Sequence, residues 1–294
     1  MVMQVPLQGG SQVKLYQTLH AALYEAVFNI LDSTSVILPL CDSLRSAAGA
    51  TACTTMGAEQ VDFTWSTGGA DNSWSTFDGH DDIGDSDTFP YRYQGIIPFV
   101  DFNGTDEEAD SPDAAYWTRD DAGSTEKLSI GAWINPDNVS GVKTILAKYD
   151  ATTSSELREW FFFLNGDKLT MNLWDESANA AIGRRDNTSP SMVAGQWQFV
   201  VVTYSGSAAN SGIKVYRNGV QIDDGDDSTG SYTGMENLGT IVTLAHHTGA
   251  SALPDGFFGG KMAGGPLGPF FTQVELSPNQ VLRLFELGRR VLAL

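Results

Sequence analysis

Cysteine is nearly absent from this sequence. Only Cys41 and Cys53 occur among its 294 residues, whereas small folds that depend on disulfides carry several pairs. The spacing of the two residues matches no common zinc-binding motif. We therefore expect buried or idle thiols, and we exclude a disulfide framework and a cysteine-based zinc site.

Positive charge is also scarce. The chain has 17 Lys and Arg residues against 36 Asp and Glu residues, which gives a net charge of −19. An acidic surface suits solubility and divalent cations, but it does not identify a ligand. Binding to nucleic acid needs clustered Lys and Arg side chains that neutralise phosphates, and the sequence has no such cluster. We therefore expect no nucleic-acid partner.

Long apolar runs are missing as well. None approaches the ~20 residues that a membrane-spanning helix requires. The first residues lack the basic head and apolar stretch of a secretory signal peptide. These absences predict no membrane partner, and they predict a protein that is made for the cytoplasm, exported by another route or released by cell lysis.

The sequence is organised around residues 195–222. Within this stretch, residues 196–204 are rich in aromatic and β-branched side chains, with apolar residues on both alternating faces. This pattern predicts a central strand that is covered on both sides. Asn218-Gly219 stands between two further apolar runs, and Asn-Gly in that position predicts a tight β-hairpin.

Residues 1–60 differ from the rest of the chain. Between residues 12 and 31, apolar side chains recur every three or four positions, which predicts an amphipathic helix. Two interpretations stay open: the helix packs on its own chain, or it joins copies of the chain through a short seam like that of a coiled coil. The seam would be formed by Tyr16, Leu19, Leu23, Ala26 and Ile30.

From residue 61 onward the pattern is that of β structure. Short apolar runs follow one another closely, and Gly, Asn, Asp or Pro occupies most gaps, which is typical of an antiparallel sandwich or barrel. The last element is a helix that begins at Ser277-Pro278, with Gln280 completing a capping box. We predict a mostly β, antiparallel sandwich over residues 61–294 with a short C-terminal helix, and a helical anchoring or oligomerisation region over residues 1–60. Strands are predicted at residues 61–65, 95–102, 114–118, 127–135, 143–149, 159–164, 168–174, 180–184, 196–204, 213–217, 220–222 and 241–246.

Several short motifs follow one another in order between residues 96 and 276. They read FNGTDE at 102–107, LSIGAWINP at 128–136, ILAK at 145–148, GQW at 195–197, VTY at 202–204, VYRNG at 215–219 and FGGK at 258–261. In this order they resemble the laminin G-like branch of the concanavalin A-like lectin/glucanase superfamily, as found in phage virion proteins. The resemblance implies a jelly-roll sandwich of two antiparallel sheets, often a carbohydrate- or protein-binding module that carries one structural calcium ion.

The resemblance also implies where calcium would bind. In this branch the ligands come from the first motif and from an acidic residue in the closing strand, because Ca²⁺ takes about six to eight oxygen ligands. The first motif supplies Asn103, Asp106 and Glu107 here. The closing segment, residues 260–266, has no acidic residue, so the second half of such a site is missing.

Catalytic carboxylates are not indicated. Glycoside hydrolases place a pair of carboxylates around the scissile bond, and those of the superfamily that the motifs resemble carry an E-x-D-x-E triplet, which this sequence lacks. Acidic residues 106–108 are predicted in a turn, and Asp175 and Glu176 at the end of a hairpin, with their side chains in solvent. His246 and His247 are adjacent on a predicted strand and would point to opposite faces, which favours structural roles. We predict a protein that is not an enzyme.

Aromatic side chains are the remaining candidates for ligand contact, because sugar rings stack on exposed Trp and Tyr. Trp133 and Trp197 lie inside apolar strands and are predicted in the core. Trp74, Tyr91 and Tyr93 lie in a loop-rich stretch beside acidic residues. We predict that these three residues contact the ligand.

Together these features predict a structural protein of a phage-like virion, such as a capsid decoration, a head fibre or a tail adhesin. It would assemble with itself and with other virion proteins in the host cytoplasm, leave the cell by lysis and touch host surface glycans. The alternative is an autonomous extracellular carbohydrate-binding module with a calcium-dependent sugar site. An oligomer favours the first function, and a monomer favours the second.

Overall fold

The computed structural model describes residues 9–40, 52–67, 93–94, 97–119, 127–153, 155–188 and 192–294. These residues form two α-helices, α1 (Gly9–Phe28) and α2 (Pro278–Val291), two short 3₁₀-helices (Asn210–Gly212 and Gly265–Leu267), and strands that belong to two sheets. The strands are β1 (Val36–Ile37), β2 (Ala52–Thr54), β3 (Met56–Gly57), β4 (Asp62–Thr67), β5 (Tyr93–Gln94), β6 (Ile97–Asn103), β7 (Glu107–Ser111), β8 (Leu128–Pro136), β9 (Val142–Asp150), β10 (Leu157–Asn165), β11 (Lys168–Asp175), β12 (Ala180–Arg185), β13 (Gln198–Tyr204), β14 (Ile213–Arg217), β15 (Val220–Gln221), β16 (Gly225–Thr229), β17 (Val242–Leu244), β18 (His247–Thr248), β19 (Pro254–Asp255), β20 (Gly259–Ala263) and β21 (Phe270–Thr272).

The strands of both sheets pair antiparallel, except that β18 lies parallel to β9. In sheet A the paired order is β15-β14-β13-β8-β20-β6-β5, and β21, β1 and β3 extend the sheet beside β8. In sheet B the order is β16-β12-β11-β10-β9-β17-β7-β4-β2, with β18 and β19 beside β9. Strands that are far apart in the chain lie side by side, as where β20 separates β8 from β6. The predicted antiparallel jelly-roll sandwich with one helix at each end of the chain is confirmed.

The main core lies between the sheets. Successive strand side chains point to opposite faces, so alternate residues of each strand enter this core. Sheet A contributes Val200 and Val202, and sheet B contributes Trp160 and Phe162, all fully buried. Burial of one such side chain contributes roughly 1.5–3 kcal/mol, and the sum over the core holds the two sheets together.

A second apolar cluster covers the outer face of sheet A. Trp133 of β8 and Phe199 of β13 pack there with Leu284 of α2. The N-terminus of α2 is fixed by the predicted capping box, in which the Ser277 hydroxyl accepts a hydrogen bond from the backbone N–H of Gln280 (3.3 Å). The predictions of a C-terminal helix and of a central strand covered on both sides are confirmed, the latter at β13.

The second half of α1 packs on the same face of sheet A. Tyr24 and Val27 of the helix, with Ile30 and Leu31 of the turn that follows, are buried in the same cluster. The interpretation that this helix packs on its own chain is therefore correct for the described side chains. Neither α1 nor α2, the helices of the described chain, combines the length and the apolar character that a membrane span requires.

The predicted oligomerisation seam of α1 is divided by this packing. Ile30 is buried against sheet A, Leu23 packs at the edge of the cluster, and Ala26 is half-buried. Leu19 stays 37% exposed. Tyr16 belongs to α1, but its side chain lies outside the described residues. Oligomerisation through α1 stays a prediction, and among the described side chains Leu19 is the one that remains exposed for it.

The sheets draw strands from both sides of residue 60. β1 pairs with β21 and β3 in sheet A, and β2 pairs with β4 across residue 60 in sheet B. Val36 and Ile37 of β1 are fully buried, which explains why this short apolar segment joins the sandwich. The sandwich therefore includes residues that the sequence assigns to the N-terminal region, while the anchoring role of residues 1–60 stays a prediction.

Two parts of the strand prediction are wrong. Residues 114–118 form a turn, in which the Trp117 N–H donates to the carbonyl oxygen of Ala114 (3.0 Å). The structure also contains strands that the sequence pattern did not predict, namely β1, β2, β3, β5, β7, β16, β18, β19, β20 and β21. β7 and β16 are acidic and β20 is rich in glycine, and both compositions disfavour strands. Pairing with neighbouring strands outweighs that propensity here.

The segment after β12 carries a buried carboxyl group. Asp186 is 1% exposed, and neither of its carboxyl oxygens makes a hydrogen bond within the described residues. Burial raises the pKa of Asp186 to about 7, although the nearby backbone of Leu169 and the positive charges of Lys168 and Arg217 oppose the shift. The folded protein therefore keeps this proton at a pH where the unfolded chain has lost it.

We expect Asp186→Asn to stabilise the protein near pH 8 but not near pH 4. Because the folded-state pKa is raised, the wild-type protein loses stability as the pH rises from about 4 to about 7, by on the order of 2 kcal/mol. Asparagine has nearly the same shape and cannot ionise. Urea unfolding at the two pH values measures the difference.

Asp175→Asn is the matched control. Burial raises the pKa of Asp175, but hydrogen bonds from Thr233, Ala178 and Ser177 outweigh burial, and the pKa is lowered. This variant should lose stability at both pH values, because the ionised carboxylate is the stabilising form. An Asp186→Asn variant that gains nothing near pH 8 would contradict the account.

Candidate ligand-binding face

The outer face of sheet B carries a cluster of aromatic side chains. Trp160 and Phe162 point into the core, so Phe161 and Phe163 of β10 point to the opposite face. Neighbouring strands add Tyr149 of β9, Trp174 of β11 and, from β18, His247. We call this group of side chains the aromatic face: Tyr149, Phe161, Phe163, Trp174 and His247.

The rings of the aromatic face are in mutual contact. Phe161 stacks on Phe163 with ring centroids 4.0 Å apart and on Tyr149 at 4.8 Å. Tyr149 meets Trp174 edge to face at 4.9 Å, and His247 lies 4.9 Å from Phe161. The two phenylalanines are buried, whereas Tyr149 and Trp174 are half-buried. The phenylalanines form the floor, and the tyrosine and tryptophan rings remain partly open to solvent.

Arg158 supplies polar groups at the edge of the aromatic face. Its guanidinium carbon lies 5.8 Å from the centre of the Trp174 ring, within the range of a cation–π contact. Its Nη2 donates to Glu176 Oε2 (3.1 Å) and lies 2.8 Å from Glu156 Oε2. The half-buried guanidinium therefore holds charged hydrogen-bonding groups beside an aromatic ring.

A β-bulge places Arg158 on this face. Arg158 pairs with Tyr149 and Trp160 pairs with Lys148, so Glu159 is an extra residue between them. Strict alternation would put Arg158 on the core side with Trp160. The extra residue turns Arg158 to the same face as Tyr149.

Glu159 is held inside the protein by a polar network. Its carboxylate contacts the Nζ atom of fully buried Lys148 and accepts a hydrogen bond from the Leu238 N–H (2.8 Å). Lys148 Nζ also donates to the carbonyl oxygen of Leu238 (2.6 Å) and lies 3.1 Å from Asp113 Oδ1. Burial raises the pKa of Glu159 to about 7, against the opposing charge of Lys148. This network fixes the bulge, and the bulge positions Arg158.

A cluster of potential metal ligands lies farther along the same outer face. Ala109 of β7 faces the core, so Glu108 and Asp110 point outward. His246 lies between them, with Nε2 2.6 Å from Asp110 Oδ1 and Nδ1 3.2 Å from Glu108 Oε2. One carboxylate oxygen of each acid and one ring nitrogen of His246 all lie within 4.8 Å of one another. This set could hold a metal ion.

The predicted exposure of several acidic residues is wrong. Glu107 and Glu108 are buried, because both belong to β7 within sheet B rather than to a turn. Asp175 is also buried, where Thr233 and the Ala178 N–H bind its carboxylate. The prediction that His246 and His247 point to opposite faces is wrong, because both lie on the outer side of sheet B. His246 stands between β17 and β18, after the left-handed Ala245, rather than within a strand.

The three residues of the predicted calcium site come together at the turn from β6 to β7. Asn103 Oδ1 accepts hydrogen bonds from the N–H groups of Thr105 (2.8 Å) and Asp106 (3.2 Å), and Asn103 Nδ2 donates to Asp106 Oδ1 (2.7 Å). Glu107 Oε2 accepts from the Asn103 N–H (2.6 Å). These bonds shape the turn.

The same three residues do not complete a calcium shell. They offer fewer oxygen atoms than the six to eight that Ca²⁺ takes. Lys261 of the closing strand β20 lies 3.3 Å from Asp101 Oδ2 of β6. The closing strand therefore carries a positive charge, whereas the resemblance implies an acidic calcium ligand there. Calcium binding here stays a prediction that needs further ligands.

The predicted ligand contacts at Trp74 and Tyr91 lie outside the described residues. Tyr93 begins β5, which pairs with β6, but its side chain is also outside them. The aromatic face was not predicted. The sequence feature that indicates this face is the apolar run at residues 160–164, because an unbroken apolar run on a strand places apolar side chains on both faces of the sheet.

Comparison with known proteins identifies the family of this chain. Residues 103–263, more than half of the chain, match a laminin G family model described as "Concanavalin A-like lectin/glucanases superfamily". The chain belongs to this superfamily. The resemblance of the ordered motifs to this superfamily is thereby confirmed, whereas the link to phage virion proteins stays a prediction. The match begins at the predicted calcium turn and ends at the last residue of β20, so the superfamily region includes both the aromatic face and the cluster of Glu108, Asp110 and His246.

Solved structures show the same fold at low identity. The receptor binding domain of botulinum neurotoxin mosaic serotype C/D is 12% identical with a TM-score of 0.52, and the match covers 86% of this chain and 51% of that one. The botulinum neurotoxin serotype C1 binding domain is 15% identical with a TM-score of 0.51, covering 88% and 53%. The chain therefore spans about half the length of these structures. A search of curated proteins finds no match.

Proposed function

We propose that this chain is a glycan-binding protein without enzymatic activity, and that the aromatic face is its binding surface. The observation that carries the proposal is the half-buried pair Tyr149 and Trp174 above a floor of phenylalanine rings. A pyranose ring has an apolar face that stacks on such aromatic rings. The lectin-like superfamily supports this function.

Polar groups beside the rings suit a sugar. The Arg158 guanidinium and the Glu176 carboxylate stand next to Trp174 as a paired donor and acceptor. Sugar hydroxyls both donate and accept hydrogen bonds, so a pair of this type would orient a ring stacked on Trp174. Stacking would supply the contact area and the ion pair would select among sugars.

The acidic pair on sheet B does not support glycoside hydrolysis. Glu108 and Asp110 form an E-x-D sequence on one face of β7, but Pro112 stands where the last acid of the triplet would be. Both carboxylates face His246, and Glu108 is buried. A nucleophile and an acid must instead flank an accessible glycosidic bond. This arrangement supports binding rather than catalysis.

The position of the helices is compatible with display on a particle. α1 and α2 cover the outer face of sheet A, and the aromatic face lies on the outer side of sheet B, at the opposite side of the sandwich. We propose that the chain is a structural protein of a phage-like virion, anchored through α1 with copies of itself and other virion proteins. The aromatic face would then point outward toward host glycans.

The alternative is an autonomous extracellular carbohydrate-binding module. It uses the same aromatic face but needs no partner on α1. The helix side chains that are buried on sheet A already satisfy much of the apolar stripe, and this observation favours the alternative. The two functions differ in oligomeric state.

Trp174→Ala should weaken glycan binding about fivefold, since one lost aromatic contact of this kind costs on the order of 1 kcal/mol. An array of bacterial surface glycans identifies the best ligand of the full chain, and calorimetry then compares the affinities of the two proteins. Val220→Ala is the matched control, because Val220 is an exposed apolar residue of sheet A. Equal affinity of Trp174→Ala and wild type, or no glycan binding by the wild type, would contradict the proposal.

Light scattering of the full chain tests the anchoring role of α1. We expect a mass that is a multiple of 31.6 kDa, and we expect Leu19→Asp to reduce it toward 31.6 kDa because Leu19 is the exposed apolar residue of the seam. Leu253→Asp, at an exposed site away from the helix, should keep the wild-type mass. A monomeric wild type would favour the autonomous module.

A further inference from the structure

We propose that Glu108, Asp110 and His246 bind a divalent transition metal ion of the zinc type. The site lies on the outer face of sheet B and is separate from the calcium turn, because Glu107 alternates to the opposite face from Glu108. The proposal does not depend on glycan binding.

The positions of the donor atoms are the first argument. The three ligand atoms lie within 4.8 Å of one another, whereas bonds of about 2.0–2.2 Å to Zn²⁺ would separate tetrahedral ligands by about 3.3 Å. Glu108 Oε2 and His246 Nδ1 already have this separation, at 3.2 Å. Asp110 Oδ1 contacts the other ring nitrogen, Nε2, at 2.6 Å, and it must turn toward Nδ1 to bind the same ion. The Asp110 side chain is 33% exposed, so it can move and leaves a coordination position open to water.

The buried imidazole is the second argument. His246 is 2% exposed, yet its Nδ1 makes no hydrogen bond within the described residues even though Glu108 Oε2 lies 3.2 Å away. A ring nitrogen that is buried without an aligned partner is rare in proteins. Such a nitrogen can coordinate a metal ion through its lone pair.

The backbone around His246 is held in place. The Thr243 hydroxyl donates to the carbonyl oxygen of His246 (2.7 Å), and the Phe257 ring stacks at 6.1 Å from the imidazole. Ala245, just before it, has a φ of +67°, a left-handed conformation that costs energy for a residue with a Cβ atom. This residue turns His246 away from the core side and toward the two acids, so the imidazole is preorganised before a metal ion arrives.

The ligand types select the metal. Two carboxylates and one imidazole suit zinc and similar first-row ions, and among these the affinity order places Zn²⁺ above Mn²⁺. Ca²⁺ prefers six or more oxygen ligands and gains little from an imidazole. The expected selectivity is therefore strong binding of Zn²⁺ and no competition by Ca²⁺.

Calorimetric titration of zinc chloride into the full, metal-free chain tests the site. We expect one equivalent to bind, excess calcium chloride to leave the isotherm unchanged, and cobalt(II) to give an absorption spectrum that zinc abolishes. His246→Gln should lower the zinc affinity at least tenfold. Asp110→Asn should do the same, and because Asp110 is partly exposed this variant keeps the fold intact if His246→Gln destabilises it. Asp137→Asn, which removes an exposed carboxylate elsewhere, is the control and should bind like the wild type.

Three results would overturn the proposal. The wild type could fail to bind zinc saturably, which would mean that the imidazole only bridges the two carboxylates by hydrogen bonds. Asp110→Asn could bind zinc as tightly as the wild type, which would place the ion elsewhere. Calcium could displace zinc, which would assign the site to a cation that prefers oxygen ligands.

Discussion

Burial of the apolar side chains on both faces of β13 is the constraint on which the rest of the structure depends. One face of this strand forms the core with sheet B, and the other must be covered by α1, α2 and their flanking turns. Both helices are consequently on the side of sheet A. The outer face of sheet B, which the described side chains of the two helices do not cover, can therefore carry aromatic and acidic side chains that are available for binding.

The sequence predicted the elements whose patterns are local. β13 follows from its unbroken apolar and β-branched residues, α2 from the capping box at Ser277 and Gln280, and the hairpin after β14 from Asn218-Gly219. The family was predictable because several motifs occur in the expected order, although each motif alone is weak evidence. α1 was also predicted, but whether its apolar stripe meets its own chain depends on packing, and the structure places Leu23, Val27 and Ile30 of that stripe on sheet A.

The site was less predictable because it depends on contacts between distant strands. β7 is acidic at Glu107 and Glu108, and its strand state comes from pairing with β4 and β17. The bulge at Glu159 is stabilised by Lys148 and by Leu238, 79 residues farther along the chain, so its effect on Arg158 cannot be inferred from local alternation. His246 is aimed at Glu108 and Asp110 by the left-handed Ala245, a conformation that no residue pattern signals. The bulge at Glu159 and the left-handed Ala245 depart from regular strand geometry, and β7 departs from the usual composition of a strand.

The most direct test of the account is whether a glycan contacts Trp174. The indole N–H signals of the seven tryptophans can be followed by NMR during titration with the glycan that binds best, and Trp174→Phe identifies the signal of interest. The account predicts a saturable shift of the Trp174 signal while the signals of Trp133 and Trp197, on the side of sheet A, stay in place. A glycan that shifts Trp133 or Trp197 and leaves Trp174 unchanged would contradict the assignment of the aromatic face as the binding surface.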